Sequence, residues 1–166
     1  MPPRGTKIIQ GIAMTDPTAV FAALHRAAQD AAGARLFTVT VLDRKADLVR
    51  RAYTSHPKDY PATGTKPMRS DAWSAEVIDG QRSFVANSTP EFAIYFNDHA
   101  LINALGCESA LNIPVSNGDQ VVGTVNVLDV QGHFTPERVA VLEALVADHK
   151  AELLAAIASV PMENPA

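Results

Sequence analysis

Two hydrophobic periods alternate along the chain, and each switch between them marks an element. Val20, Leu24, Ala27, Ala28 and Ala31 recur at three- and four-residue spacing behind Asp16-Pro17 and ahead of Gly33. An oxygen-bearing cap, a proline in the first turn and a terminal glycine predict a helix there. Thr135-Pro136 opens a second such stretch, with Val139, Leu142, Val146, His149, Leu153 and Ile157 on one stripe that reaches Pro161. This predicts one long helix. Thr89-Pro90 repeats the start signal.

Between these helices the period is two. Over residues 36–42, Phe37, Val39 and Val41 share one face while Leu36, Thr38, Thr40 and Leu42 share the other. The polar turn Asp43-Arg44-Lys45-Ala46 and a return strand over residues 47–54 complete a hairpin. A second hairpin pairs 110–116 with 120–129 around Asn117-Gly118, a dipeptide that accepts the positive φ angles of a tight turn. Pro114 removes a ladder donor and predicts an edge or a bulge.

The middle is irregular. Residues 55–69 hold three prolines and a glycine and read as a long loop. Ser70-Asp71 caps a short helix through Trp73, Val77 and Ile78 that ends at Gly80; residues 83–86 form a short strand. Residues 91–105 form one broken helix or two short ones, stopped at Gly106. Hairpin connections make the sheet mainly antiparallel, and segregated helices make the fold α+β. The first and last helices cover one sheet face. The irregular middle covers the other and leaves a cup, a shape that binds small molecules.

At roughly 150 residues per domain, the 166 residues make one domain, over 16–158, with an N-terminal extension at 1–15 and a tail at 159–166. Hydrophobic residues at 47% and charged residues at 19% exclude global disorder. A net charge of −4 gives no pull toward nucleic acid or anionic membrane. The apolar stretch at 8–14 is too short and polar for a signal peptide, and no run is long enough to span a membrane. A cytoplasmic location is expected. With Cys107 the single cysteine, an intrachain disulfide and a Cys-rich zinc site are excluded.

The C-terminal third carries a recognisable signature. It runs Ser109-Ala110-Leu111-Asn112-Ile113-Pro114-Val115, the Asn117-Gly118 turn, then Val122-Gly123-Thr124-Val125-Asn126-Val127-Leu128. Phe134-Thr135-Pro136-Glu137 follows and opens a helix with Leu142, Leu145 and Val146. This resembles the GAF domain, and with the helix–hairpin beginning the resemblance covers residues 16–158. It implies a central antiparallel six-stranded sheet, terminal helices packed on one face and often used for dimerisation, and a loop-covered ligand pocket on the other. Members of the family bind cyclic nucleotides, bilins, haem or small acids, and fold does not select among these. The Asn-Lys-Phe-Asp-Glu motif of the cyclic-nucleotide members is missing, and the thiol context differs from that of bilin-attaching members. The chain also resembles the free methionine-R-sulfoxide reductases in size. That resemblance puts their nucleophile near Asn103, with Cys107 about a turn too close to the Ser109–Pro114 element and no second thiol to resolve a disulfide.

Candidate chemistry is sparse. Cys107 stands beside Glu108 with no adjacent cation, which reads as an inert, buried thiol. None of the five histidines falls at metal-ligand spacing, so neither metal nor cofactor is expected. His25 and His149 belong to the terminal helices, whereas His56 and His99 lie beside tyrosines in the middle segment and are assigned to the cup. A Ser55/His56/Asp98 hydrolase is set aside for want of a nucleophile elbow. Lys66 and Arg69, just ahead of the Ser70-Asp71 helix start, form an anion receptor. Asn112 and Asn126 interrupt apolar strands and need partners, from a ligand or from each other's surroundings, with Thr38, Thr40 and Thr124 on the same surface. Tyr53, Tyr60, Trp73, Tyr95 and Phe96 supply aromatic walls. Arg50 and Arg51 point to opposite faces and read as a solvated hairpin.

These observations predict a bacterial-type regulatory module without catalytic residues, a sensor holding a small polar or anionic metabolite. The final helix is apolar also at Val141, Leu145 and Leu154, wider than one sheet contact needs, which predicts a homodimer through the terminal helices. Two alternatives stay open: an enzyme resembling the methionine sulfoxide reductases and acting through Cys107, and a ligandless interaction domain with a filled cup.

Overall fold

The computed structural model of the protein describes residues 16–162. The expected N-terminal extension, its apolar stretch at 8–14, and residues 163–166 of the expected tail lie outside the described residues.

Helix α1 (Pro17–Ala32) starts where Asp16 Oδ1 accepts the Thr18 N–H and stops at Gly33, whose φ of 84° no β-carbon opposes. Strands β1 (Leu36–Asp43) and β2 (Leu48–Thr54) form the first hairpin. In its turn, Asp43 accepts from the Ala46 N–H at 3.2 Å and from Arg50 Nε at 2.9 Å, bonds that hold its carboxyl below the usual carboxylate range. The middle segment contains β3 (Thr65–Pro67), α2 (Ala72–Ser74) continued by a π-helical turn over Ala75–Asp79, β4 (Phe84–Ala86), α3 (Thr89–Ala93) and α4 (His99–Ala104). Strands β5 (Ser109–Ser116) and β6 (Val121–Asp129) form the second hairpin, and α5 (Pro136–Asp148) and α6 (Lys150–Ala158) complete the chain. The fold is α+β: one six-stranded antiparallel sheet in the order β3-β2-β1-β6-β5-β4.

Each face of the sheet has its own apolar layer. Phe37, Val39 and Val41 from β1 pack with Val125, Val127, Leu111 and Ile113 beneath Phe21, Leu24, Leu142 and Leu153 of the terminal helices. On the opposite face Leu36, Ala110 and Leu128 meet Val77, Phe84, Phe92 and Ile102 of the middle segment. The period-two pattern of β1 thus separates two cores of different character.

Several elements differ from the sequence expectation, each for a local reason. Residues 55–69 contain a strand, because the outer edge of β2 pairs Leu48, Val49 and Arg50 with Pro67, Lys66 and Thr65; a proline is tolerated at such an edge. The Asn117-Gly118 turn spans four residues, and only Gly118 has a positive φ, at 105°. The Asn117 Oδ1 accepts the Asp119 and Gln120 N–H groups and closes the turn instead. Helix α3 starts one residue early, at Thr89 with Ser88 as its N-cap, and Glu91 reaches back to accept from the Asn87 N–H and the Ser88 hydroxyl. The last helix is two, broken at His149, whose Nδ1–H donates to the Leu145 carbonyl at 2.9 Å. Pro114 lies just past the last β5 residue that pairs with β4, where β5 is itself an edge.

A β-bulge in the first hairpin has the largest consequence. Val39 pairs with Tyr53 but Thr40 pairs with Arg51, so Ala52 is the extra residue. Strict alternation would set Arg51 and Tyr53 on one face; the bulge sends them to opposite faces.

Gly123 marks the closest approach in the sheet centre. A β-carbon there would lie 2.5 Å from the Thr40 carbonyl oxygen and 3.1 Å from Ile157 Cδ1. Gly123→Ala is expected to cost about 1–3 kcal/mol by overpacking, read as a lowered midpoint in urea unfolding; an unchanged midpoint would show that β1, β6 and α6 yield freely at this point.

Candidate functional site

Between the middle segment and the second sheet face lies a cavity of about 210 Å³. Its floor is a hydrogen-bonded chain of side chains projecting from β1, β6 and β5. Trp73 Nε1 donates to Asn112 Oδ1 at 2.9 Å, and Asn112 Nδ2 donates to Asn126 Oδ1 at 2.8 Å. Asn126 Nδ2 donates to Thr38 Oγ1 at 3.0 Å and to Thr40 Oγ1 at 2.7 Å, while Thr124 Oγ1 donates to Asn126 Oδ1 at 2.9 Å. Strand register brings this about, since Asn126 sits opposite both Thr38 and Asn112. The two buried amides therefore find their partners internally, which is one of the two outcomes the sequence left open.

Trp73 reaches the floor because α2 is fixed by a capping box. The Ser74 N–H donates to Asp71 Oδ1 and the Asp71 N–H to Ser74 Oγ, both at 2.9 Å. The anion receptor expected at this helix start is not formed: Asp71 itself caps the N–H group. Of its two cations, Lys66 Nζ lies 3.5 Å from Asp98 Oδ1, and Arg69 lines the cavity as an exposed side chain.

The charged end of the cavity centres on Arg51. Its guanidinium lies 3.7 Å over the Tyr60 ring, donates to the Pro61 carbonyl at 2.7 Å and approaches Asp98 Oδ2 at 3.6 Å. Tyr60 donates its hydroxyl to the same carboxylate oxygen. Burial, followed by the Asp98 charge, raises the Tyr60 phenol well above its ordinary range and keeps it a donor. Apolar walls come from Met68, Ile78, Tyr95, Phe96, Ile102 and Leu128.

Of the residues predicted from sequence, Tyr60, Lys66, Arg69, Trp73, Phe96, Asn112 and Asn126 come together around this cavity. Tyr53, His56 and His99 do not line it. Tyr53 is turned to the helix face by the β2 bulge, where its hydroxyl meets His25 Nδ1 at 3.1 Å and its ring packs edge-on against Phe37. His56 Nδ1 meets Ser55 Oγ at 2.8 Å in a shallow hollow that also includes Gln29, Arg35 and Asp129. His99 is outside the lining because its Nδ1–H is turned back on the Phe96 carbonyl at 2.9 Å, closing the turn that carries Asp98.

Arg51 and Asp98 were missed. The signal for Arg51 was its place opposite Thr40, legible only with the bulge in hand. Asp98 emerged in the sequence only as a partner in a discarded hydrolase set.

Cys107 is fully buried in the second apolar layer. Burial, and secondarily the Asp129 carboxylate, push its thiol up to about 12. Asn103, the position implied for a reductase nucleophile, donates its amide to Thr89 Oγ1 and the Cys107 carbonyl. Among the described residues no three His, Cys, Asp or Glu side chains gather as metal ligands, and no helix is long and apolar enough to cross a membrane.

Removing the Asn126 amide strands its Asn112, Thr124, Thr38 and Thr40 partners. Asn126→Ala is expected to destabilise the fold by at least about 2 kcal/mol, the cost of leaving buried polar groups unpaired. Urea unfolding checks this, and a shift below a few tenths would mean the floor rearranges without loss.

No curated protein matches the chain. Solved structures with the same fold include the GAF domain of a two-component sensor histidine kinase from Bacillus halodurans, at 17% identity and a TM-score of 0.64, with 81% of this chain and 91% of that one covered. A GAF domain/HD domain protein from Geobacter sulfurreducens matches at 15% identity and a TM-score of 0.70, covering 87% and 95%. The free methionine-R-sulfoxide reductase from Neisseria meningitidis, solved with its substrate, matches at 16% identity and a TM-score of 0.64, covering 88% and 83%. At these identities the likeness carries the fold and none of the chemistry. The GAF domain family model matches residues 14–149, and the chain belongs to that family.

Proposed function

We propose that the protein is a sensor module that holds a small polar or anionic metabolite in the cavity between sheet and middle segment and has no chemistry of its own. The observation that carries this reading is the cavity itself: a fixed polar floor, one cationic end and apolar walls, on the sheet face away from the terminal helices. A volume of about 210 Å³ also weighs against a ligandless domain whose aromatic side chains fill the cup. The reductase alternative draws no support from Cys107, which is buried and held protonated.

The protein contains one tryptophan, and it lies in the cavity wall. Trp73 fluorescence is therefore a direct reporter of occupancy. A screen of small carboxylates, amino acids, purines, cyclic nucleotides and methionine sulfoxide should give a compound that changes Trp73 emission. At about 100 times its dissociation constant that compound should stabilise the fold by roughly 2.7 kcal/mol, and Cys107→Ala should leave its binding unaltered. A blank screen would sink the sensor reading, and turnover of methionine sulfoxide abolished by Cys107→Ala would replace it with the enzyme.

We also propose that the signal passes by pairing of the terminal helices in a homodimer. Its support is narrower than the sequence pattern implied, because Val139, Leu145 and Leu154 pack partly against the core of one protomer. Val141 remains 43% exposed beside them. Sedimentation at micromolar concentration is expected to give a dimer that Val141→Lys weakens; a monomer removes the proposal.

A further inference from the structure

On the floor of the cavity, the polar capacity that its own hydrogen bonds leave over is mostly donor, although the Asp71 and Asp98 carboxylates also line the cavity. Both Asn126 oxygen acceptances and both of its N–H groups are used within the floor, and the Asn112 oxygen is taken by Trp73. Thr38 and Thr40 accept from Asn126, which leaves their own hydroxyl protons to donate. Arg51 and Lys66 add cationic donors at the same end, Arg51 directly across the strands from Thr40 and Lys66 across from Val49. A ligand met by donors and cations supplies acceptors and negative charge.

Asp98 is the carboxylate that occupies this place in the structure. Its contacts with the two cations are long, 3.6 Å to Arg51 and 3.5 Å to Lys66, against the roughly 2.7–2.9 Å of a good charge-assisted hydrogen bond. Arg51, by contrast, is fixed by the Pro61 carbonyl and the Tyr60 ring. Asp98 stands in the turn between two short helices, α3 and α4. Arg51 is thus anchored, whereas Asp98, on a short connection, is held by the Tyr60 hydroxyl and meets the two cations only at long range.

Resting on the ligand-binding reading above, we infer that the cavity takes a monocarboxylate with a compact apolar body, whose carboxylate replaces that of Asp98 beside Arg51, Lys66 and the Tyr60 hydroxyl. The apolar body lies against Trp73, Ile78, Phe96 and Leu128. An engineered cavity of about 150 Å³ holds a benzene ring, so about 210 Å³ fits one ring or a branched chain with its carboxylate. Binding releases Asp98, and with it the turn between α3 and α4, so the exchange of one carboxylate for another couples occupancy to the covering segment.

Trp73 fluorescence titrations with benzoate, phenylacetate and 4-methylpentanoate, each against its neutral amide, test this in the full chain. At least one acid is expected to bind about tenfold or more tighter than its amide. Asp98→Asn removes the internal competitor and keeps an acceptor for Tyr60. It should tighten that acid further by raising the binding-competent fraction and leave the amide unchanged. Lys66→Met, at a partly exposed position, should weaken the acid alone, and melting curves of both variants without ligand verify that they are folded. Equal binding of acid and amide, weaker acid binding by Asp98→Asn, or no binding of any of the three acids overturns the inference. A hit of another class in the wider screen would then leave the sensor reading standing, whereas a blank there as well would remove both.

Discussion

The side-chain amide of Asn126 is the point on which the cavity face of the sheet depends. It lies in the middle of β6, buried, with all of its hydrogen-bonding capacity met by neighbours on β1 and β5 and on its own strand. An amide in that position cannot be left unpaired without a cost comparable to a sizeable part of a domain's net stability. The register of three strands and the rotamers of three threonines are therefore fixed together. Through Asn112 the same network reaches Trp73 and so locates the helix that walls the cavity. The polar floor is first a structural device, and its rigidity is what gives the leftover donors defined directions.

Much of this arrangement was legible in the sequence because it follows from period and capping chemistry. The two-faced β1 pattern separates Phe37, Val39 and Val41 from Thr38 and Thr40, and Asp16, Asp71 and Thr135 cap helices as their oxygens and following residues require. Illegible was whatever depends on a single-residue irregularity or on tertiary pairing. No local signal places the bulge at Ala52, yet it decides that Arg51 belongs to the site and Tyr53 to the helix layer. Strand β3 exists only because β2 offers an open edge, so a loop rich in proline concealed it. His99 and His56 carried no information on direction; neighbouring groups 2.8–2.9 Å away took each ring and turned it from the cavity.

The electrostatics of the site follow from the same bulge. Turning Arg51 inward places a guanidinium where only a small part of its side chain meets solvent. Such a cation requires compensation, because an unpaired charge at low dielectric is expensive. The Tyr60 ring and the Pro61 carbonyl meet part of that need and Asp98 the remainder. Asp98 also takes the Tyr60 proton donor, so one carboxylate serves a cation, a phenol and a lysine at once. Its distances to the two cations are long, 3.6 Å to Arg51 and 3.5 Å to Lys66. Asp98 thereby offsets part of the positive charge at this end through two long ion pairs.

The sheet separates this cavity from the terminal helices, and Thr40, paired with Arg51 of the charged end, lies beside Gly123. Thr40 presents its hydroxyl to the floor, while its carbonyl lies against Gly123 on the neighbouring strand. The space a side chain would take at Gly123 is filled from the other side by Ile157 of α6. A packed interior does not absorb displacement in voids of its own. A shift of β1 at Thr40 therefore meets α6 through a single intervening residue. Most sheet positions carry a flexible side chain at this depth, which would dissipate such a shift into rotamer changes. The absence of a side chain at Gly123 leaves strand backbone packed against the buried Ile157 of α6.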